Sequence, residues 1–85
     1  MKTFEYVITD PLGIHARPAG TLVKEAKKCQ SRIIVRKGEK EADASKLMAL
    51  MGLAVKQGDK IEVKVEGEDE EAAAKLFEDF LKNNL

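Results

Sequence analysis

A histidine and an arginine stand two residues apart where a glycine-containing loop leads into a predicted helix. His15 is the only histidine among the 85 residues, and Arg17 follows it. A neutral imidazole can attack phosphorus, because the unperturbed pKa of histidine is about 6.5. The first N–H groups of a helix attract anions, and the donor fork of arginine fits phosphate oxygens. The pattern predicts phosphoryl transfer to His15, with the Arg17 side chain and the backbone N–H groups of Ala16 and Arg17 offsetting the phosphate charge.

The neighbours of His15 favour chemistry over the structural role that a lone histidine more often has. Gly13 permits a close backbone approach, and the small Ala16 leaves room at the helix start. Arg17 lies in the first helical turn, where the helix dipole disfavours a cation. A residue that opposes its local preference in this way indicates a functional role. Metal binding is not expected, because the chain has one histidine and one cysteine. We expect neither a metal nor another cofactor.

The length of 85 residues predicts one small domain spanning positions 1 to 85. Fifteen basic and fifteen acidic side chains cancel, and aromatic residues are few, so nucleic acid is not an expected partner. The first 36 residues nevertheless hold seven Lys and Arg against three acidic side chains. This local excess of positive charge suits binding of an acidic protein partner or of a phosphoryl group.

The single cysteine, Cys29, allows no internal disulfide and indicates a reducing compartment. No signal-peptide pattern opens the sequence, and no apolar run approaches the roughly 20 residues that span a bilayer. We therefore expect a cytoplasmic protein without direct membrane insertion.

Hydrophobic periodicity predicts seven elements in the order β-α-β-β-α-β-α. Alternation over residues 2–8 indicates a strand, and helical spacing of apolar residues indicates an amphipathic helix over 16–28. This order can form an antiparallel sheet with helices on one face, in the α+β class. The other predicted elements are strands at 33–35, 40–43 and 60–66, a short helix at 47–51, and a last helix capped by Asp69 with an apolar stripe of Ala73, Leu76, Phe77, Phe80 and Leu81.

The short predicted helix carries more apolar residues than it can bury. Leu50 and Leu53 can supply its narrow core-facing side. Apolar side chains that remain exposed usually mark a partner surface, and methionine adapts to several partners. The residues left for such a surface are Leu47, Met48 and Met51.

The motif Gly-Ile-His-Ala-Arg-Pro-Ala at residues 13–19 resembles the active-site motif of the HPr family. HPr proteins are the histidine phosphocarriers of the bacterial phosphoenolpyruvate:sugar phosphotransferase system. The resemblance extends over nearly the whole chain, with further matches at Leu47-Met48, at Met51, at Gln57-Gly58 and at residues 66–70. It implies an open-faced sandwich, in which a four-stranded antiparallel sheet carries three helices on one face.

The resemblance also implies a function. The Nδ1 atom of His15 would take a phosphoryl group from phospho-enzyme I, and His15 would pass it to enzyme IIA domains of sugar permeases. Such a chain is a carrier with a covalent phosphohistidine intermediate rather than a stand-alone enzyme. We expect a monomer, because the carrier must dock on different partners. The implied partner interface consists of Gly20, Lys24, Lys27, Leu47, Met48 and Met51.

A regulatory module is the alternative that the same family offers. Some relatives carry a serine just before the short helix, which an HPr kinase phosphorylates to create a ligand for a transcription regulator. Here Lys46 occupies that position, and Ser45 stands one residue earlier, where we expect it to cap the short helix. The hydroxyl is therefore displaced around the helix start by roughly 100°. We expect a poor kinase substrate, and the presence of His15 argues against a purely regulatory protein.

A third reading is a small enzyme with an acylphosphatase-like fold. That chemistry would need a catalytic pair of arginine and asparagine beside a glycine-rich loop. The only asparagines are Asn83 and Asn84, at the end of the last predicted helix. This reading is therefore not favoured.

Overall fold

A computed structural model describes residues 1–85 and has the predicted order of elements. The four strands form one sheet in the order β1-β4-β2-β3, and every neighbouring pair is antiparallel. The predicted α+β architecture, a four-stranded antiparallel open sheet with three helices, is confirmed. The elements are β1 (Lys2–Val7), α1 (Ala16–Lys28), β2 (Arg32–Lys37), β3 (Lys40–Asp43), α2 (Leu47–Met51), β4 (Lys60–Glu66) and α3 (Glu70–Asn84).

Strand β4 lies in the centre of the core. Its alternate residues Ile61, Val63 and Val65 are buried, as their spacing predicts. Val63 pairs with Phe4 of β1 on one side and with Val35 of β2 on the other. These side chains form the sheet side of one continuous core, against which the helices pack.

The helices bury most of the stripes that the sequence predicts, with two exceptions in α3. In α1 the buried residues include the predicted Ala19, Leu22, Val23 and Ala26. In α3 the buried row is Ala73, Phe77 and Leu81, whose spacing of four residues places them one above another. The predicted stripe also includes Leu76 and Phe80, but Leu76 is 41% exposed and Phe80 is half-buried, because both lie on the flank of that row.

The prediction that the Asp69 side chain caps α3 is wrong. Asp69 occupies the N-cap position, but its side chain makes no hydrogen bond to the helix. The carboxylate instead accepts hydrogen bonds from the N–H of Gln30, at 2.9 Å, and from the Ser31 hydroxyl. It therefore ties the start of α3 to the turn before β2.

The loop between β1 and α1 is held at both of its ends. The carbonyl oxygen of Leu85 accepts hydrogen bonds from the N–H groups of Thr9 and Asp10 and from the Thr9 hydroxyl. At the other end, the N–H of Ile14 donates to the carbonyl of Val55 at 3.1 Å. The loop that precedes His15 is therefore fixed by the end of α3 and by the segment before β4.

None of the helices has the length and apolarity needed to cross a membrane.

Candidate active site

His15 occupies the N-cap position of α1. Its backbone is extended, with φ −111° and ψ −178°, and its imidazole makes no capping hydrogen bond. Ala19 is the first residue of the helix whose N–H bonds back to the His15 carbonyl. The N–H groups of Ala16 and Arg17 have no acceptor, and Pro18 has no N–H to offer. Two open donors therefore lie next to the imidazole, as the sequence predicts.

Glycine at position 13 is a steric requirement of this loop. Gly13 has φ +66°, and a Cβ there would lie 2.2 Å from the carbonyl oxygen of Val55. The next residue, Ile14, is buried in the core. The chain therefore passes tightly over Val55, anchors Ile14, and turns the half-buried His15 toward the surface.

The imidazole and the guanidinium of Arg17 line one cleft. The Arg17 side chain is exposed and forms no ion pair or hydrogen bond within the chain. A free cation beside open N–H groups is an arrangement that binds a phosphoryl group. The cleft is lined by Asp10, His15, Arg17, Pro18, Thr21, Phe80 and Asn84.

Sequence reasoning missed Asp10, Phe80 and Asn84 as members of this cleft. The side-chain oxygen Oδ1 of Asp10 lies 3.9 Å from Nε2 of His15. Phe80 and Asn84 come from the last turns of α3, about 70 residues further along the chain. Of these three residues, only Asp10 could have been recognised from the sequence, because it is an acidic residue in the same loop as His15.

The short helix α2 has the two faces that its sequence predicts. Leu50 and Leu53 are buried in the core. The outer side chains are exposed by 39% at Leu47, 81% at Met48 and 37% at Met51. Since α2 packs against α1, this apolar face lies beside the helix that His15 begins.

Helix α1, which packs against α2, contributes exposed basic residues. Lys24 and Lys27 are exposed, and Gly20 is half-buried. Neither lysine forms an ion pair within the chain, whereas Lys28 pairs with Glu25 at 3.3 Å. The six residues that the sequence predicts as a partner interface are called the docking surface: Gly20, Lys24, Lys27, Leu47, Met48 and Met51.

The prediction that Ser45 caps α2 is wrong. Lys46 occupies the N-cap position, and the start of α2 has no capping side chain. The Ser45 hydroxyl donates instead to Oδ1 of Asp43, at 2.6 Å, and the Ser45 N–H donates to the same oxygen at 2.9 Å. These bonds hold the pKa of Asp43 below its ordinary value. A carboxylate two residues away competes successfully for the hydroxyl, because it is charged and close.

Comparison with known proteins agrees with this geometry. Residues 2–83 match the family model described as the PTS HPr component phosphorylation site. The chain is 51% identical to phosphocarrier protein HPr of Lysinibacillus sphaericus over 73 residues, which cover 86% of this chain and 83% of that protein.

Two solved structures are also similar. HPr-C-His from Thermoanaerobacter tengcongensis superposes with a TM-score of 0.93 at 38% identity, covering 98% of this chain and 93% of that one. Crh, the Bacillus subtilis catabolite repression protein, superposes with a TM-score of 0.79 at 32% identity, covering 89% of this chain and 87% of its own. The Crh structure is a domain-swapped dimer.

Proposed function

We propose that this chain, which belongs to the PTS HPr family and is an HPr phosphocarrier of the phosphotransferase system, carries the phosphoryl group on His15. Phospho-enzyme I would be the donor, and enzyme IIA domains of sugar permeases would be the acceptors. The chain would act in the cytoplasm as a monomeric, single-domain carrier with a covalent phosphohistidine intermediate.

One observation carries the proposal. A half-buried imidazole, two open N–H groups and an unpaired guanidinium meet at the start of α1. The neutral imidazole attacks phosphorus in line, so that one N–P bond forms as the donor's N–P bond breaks. The negative charge on the equatorial oxygens is then met by Arg17 and by the N–H groups of Ala16 and Arg17.

The exposure of the site supports transfer between proteins. His15 opens onto a shallow cleft at the surface rather than a closed pocket, so a partner's histidine can approach its ring. The docking surface beside it combines exposed apolar side chains with two unpaired lysines. Exposed apolar side chains together with unpaired lysines suit a partner whose own patch is apolar and acidic.

The test is incubation of the chain with phosphoenolpyruvate and purified enzyme I, followed by intact mass measurement. We expect one added phosphoryl group that is lost in acid and retained in base. His15→Ala should abolish the adduct, while Ser45→Ala, the matched control at a hydroxyl, should retain it. A phosphoryl adduct on the His15→Ala protein would contradict the assignment.

A regulatory module is the second candidate, favoured by the similarity to the Bacillus subtilis Crh protein. Two observations weigh against it. Lys46 stands at the family's serine position, and the Ser45 hydroxyl is bonded to the Asp43 carboxylate. A phosphate on Ser45 would lie next to that carboxylate, and like charges at this distance repel.

An HPr kinase with ATP distinguishes the two candidates. We expect slow or no phosphorylation of the wild-type chain, and faster phosphorylation of Lys46→Ser, which restores a hydroxyl at the family position. Efficient modification of the wild-type chain that is lost in Ser45→Ala would favour the regulatory role.

A further inference from the structure

Asp10 is the only acidic side chain that lines the cleft of His15. Its oxygen Oδ1 faces Nε2 of the imidazole at 3.9 Å, which is within ion-pair range and longer than a hydrogen bond. The other charged residue of the cleft is Arg17. The carboxylate therefore lies near one ring nitrogen, Nε2, while Nδ1 has no partner within the protein.

The position of Asp10 does not depend on His15. Its N–H donates to the carbonyl of Leu85 at 2.9 Å, and its carbonyl accepts from the N–H of Gly13 at 2.9 Å. Its side-chain oxygen Oδ1 also accepts from the N–H of Leu12 at 2.8 Å. Three backbone contacts thus fix the carboxylate within the loop, so it can orient the imidazole rather than follow it.

We propose that Asp10 is a positioning residue for His15, whose carboxylate keeps the ring proton on Nε2 and so leaves the lone pair on Nδ1. A neutral imidazole carries one proton on one of its two nitrogens, and an acceptor at one nitrogen selects the tautomer. A hydrogen bond between these atoms requires the 3.9 Å separation to shorten. Such contacts are often long before the reacting complex forms.

The role of Asp10 in transfer rests on the proposed function and follows from charge balance. Nδ1 uses its lone pair to form the new N–P bond, while the electrons of the donor's N–P bond return to the donor imidazole. The proton on Nε2 stays in place, so the His15 ring becomes a phosphorylated imidazolium. Asp10 then stabilises a positive charge that the unphosphorylated ring does not have. A unit charge pair about 4 Å apart in water interacts by an amount equivalent to about fivefold in rate.

Asp10→Asn is the informative variant. The asparagine oxygen can still accept from the N–H of Leu12, so the loop is kept while the charge is lost. Glu25→Gln is the matched control. It removes a carboxylate near the end of α1 that is far from His15, where Glu25 pairs with Lys28. Each protein is labelled with ¹⁵N in the imidazole, and the tautomer is read from the ring nitrogen shifts by NMR at alkaline pH without any donor.

We expect the wild-type chain to be dominated by the Nε2–H tautomer. Asp10→Asn should raise the Nδ1–H fraction and slow phosphoryl uptake about fivefold, whereas Glu25→Gln should leave both unchanged. An unchanged tautomer ratio in Asp10→Asn would overturn the inference, as would a wild-type chain that is mainly Nδ1–H. If the wild-type chain takes up no phosphate, the proposed function fails separately, because the tautomer measurement needs no transfer.

Discussion

Lys37 is the last residue of β2, and its ammonium group donates a hydrogen bond to the carbonyl oxygen of Ala54 at 2.8 Å. Lys37 also pairs with Asp59 at 3.0 Å. Ala54 is the only residue other than glycine with a positive φ, at 52°. The contact joins the sheet to the segment that follows α2, at a residue whose backbone conformation is unfavourable for alanine.

Replacing Ala54 with glycine should stabilise the chain. The left-handed conformation costs alanine roughly 1–2 kcal/mol, and the greater freedom of glycine when unfolded offsets part of the gain. We expect Ala54→Gly to raise the free energy of unfolding by about 0.5–1 kcal/mol in urea titrations. Ala72→Gly, an exposed site in α3 with ordinary helical geometry, should lower it by about 1 kcal/mol. Destabilisation by both variants would show that the positive φ at Ala54 carries no strain.

Arg17→Ala should slow phosphoryl transfer without unfolding the chain. The side chain makes no contact that the fold needs, and its loss removes a charge-assisted bond to phosphate of roughly 1.5–3 kcal/mol. We expect a rate decrease of about one to two decades in both directions, measured by rapid quench with enzyme I. Lys28→Ala removes a cation at the far end of α1 and should leave the rate unchanged. Equal rates for Arg17→Ala and wild type would remove Arg17 from the mechanism.

Met48→Asp should weaken partner binding while leaving stability intact, because Met48 is 81% exposed. Leu76→Asp, an exposed apolar site on α3, is the control and should not affect binding.

Charge reversal at Lys24 or Lys27 should mainly slow association with the partner, and the effect should diminish as the salt concentration is raised. Calorimetry and stopped flow with enzyme I measure both. NMR shifts confined to the outer face of the sheet on adding enzyme I would disprove this docking surface.

The link between Asp69 and the turn before β2 should weaken in acid. Hydrogen bonds from the Ser31 hydroxyl and the Gln30 N–H hold the pKa of Asp69 below its ordinary value. A carboxyl with a lowered folded pKa stabilises the fold above its unfolded pKa of about 3.9, and this contribution is lost as the pH falls through the folded pKa. Asp69→Asn should therefore destabilise the chain at about pH 7 and progressively less below about pH 4.

Urea unfolding of wild type and Asp69→Asn across this pH range measures the effect. Asp79→Asn, at an exposed position of α3, is the control and should follow the wild-type curve. A cost of Asp69→Asn that is the same at every pH would mean that the ionised carboxylate is not the stabilising form.

Local periodicity was sufficient to predict the elements and most of the core. The helix over 16–28 and the strand over 60–66 agree with the structure at both ends, because each has one regular apolar face and clear end signals. The order of strands in the sheet was not predicted, since periodicity does not say which strands pair, and the family resemblance implies only a four-stranded antiparallel sheet with three helices on one face. The grouping of the candidate site around His15 could also be predicted, because Gly13 and Arg17 are its neighbours in sequence.

The two wrong capping predictions have different physical causes, because Ser45 bonds to a carboxylate two residues away whereas Asp69 bonds to a turn that is distant in sequence. Asp69 and Ser45 both stand before helices and have capping side chains, yet both bond elsewhere. The partner of Asp69 is Ser31, 38 residues away, and no local rule anticipates such a contact. Phe80 and Asn84 reach the cleft of His15 for the same reason, because only the packing of α3 brings them there.

The position of β4 between β1 and β2 has a consequence for how the chain matures during synthesis. Strand β1 is hydrogen-bonded to no strand other than β4, whose residues Lys60–Glu66 are made more than 50 residues later. The loop that carries His15 is bonded to Val55 and to the carbonyl of Leu85, so its final contacts cannot form while the segment before β4 and the end of α3 are still inside the ribosome. With the proposed function, we therefore expect a nascent chain that exposes the histidine motif but not β4 to accept no phosphoryl group.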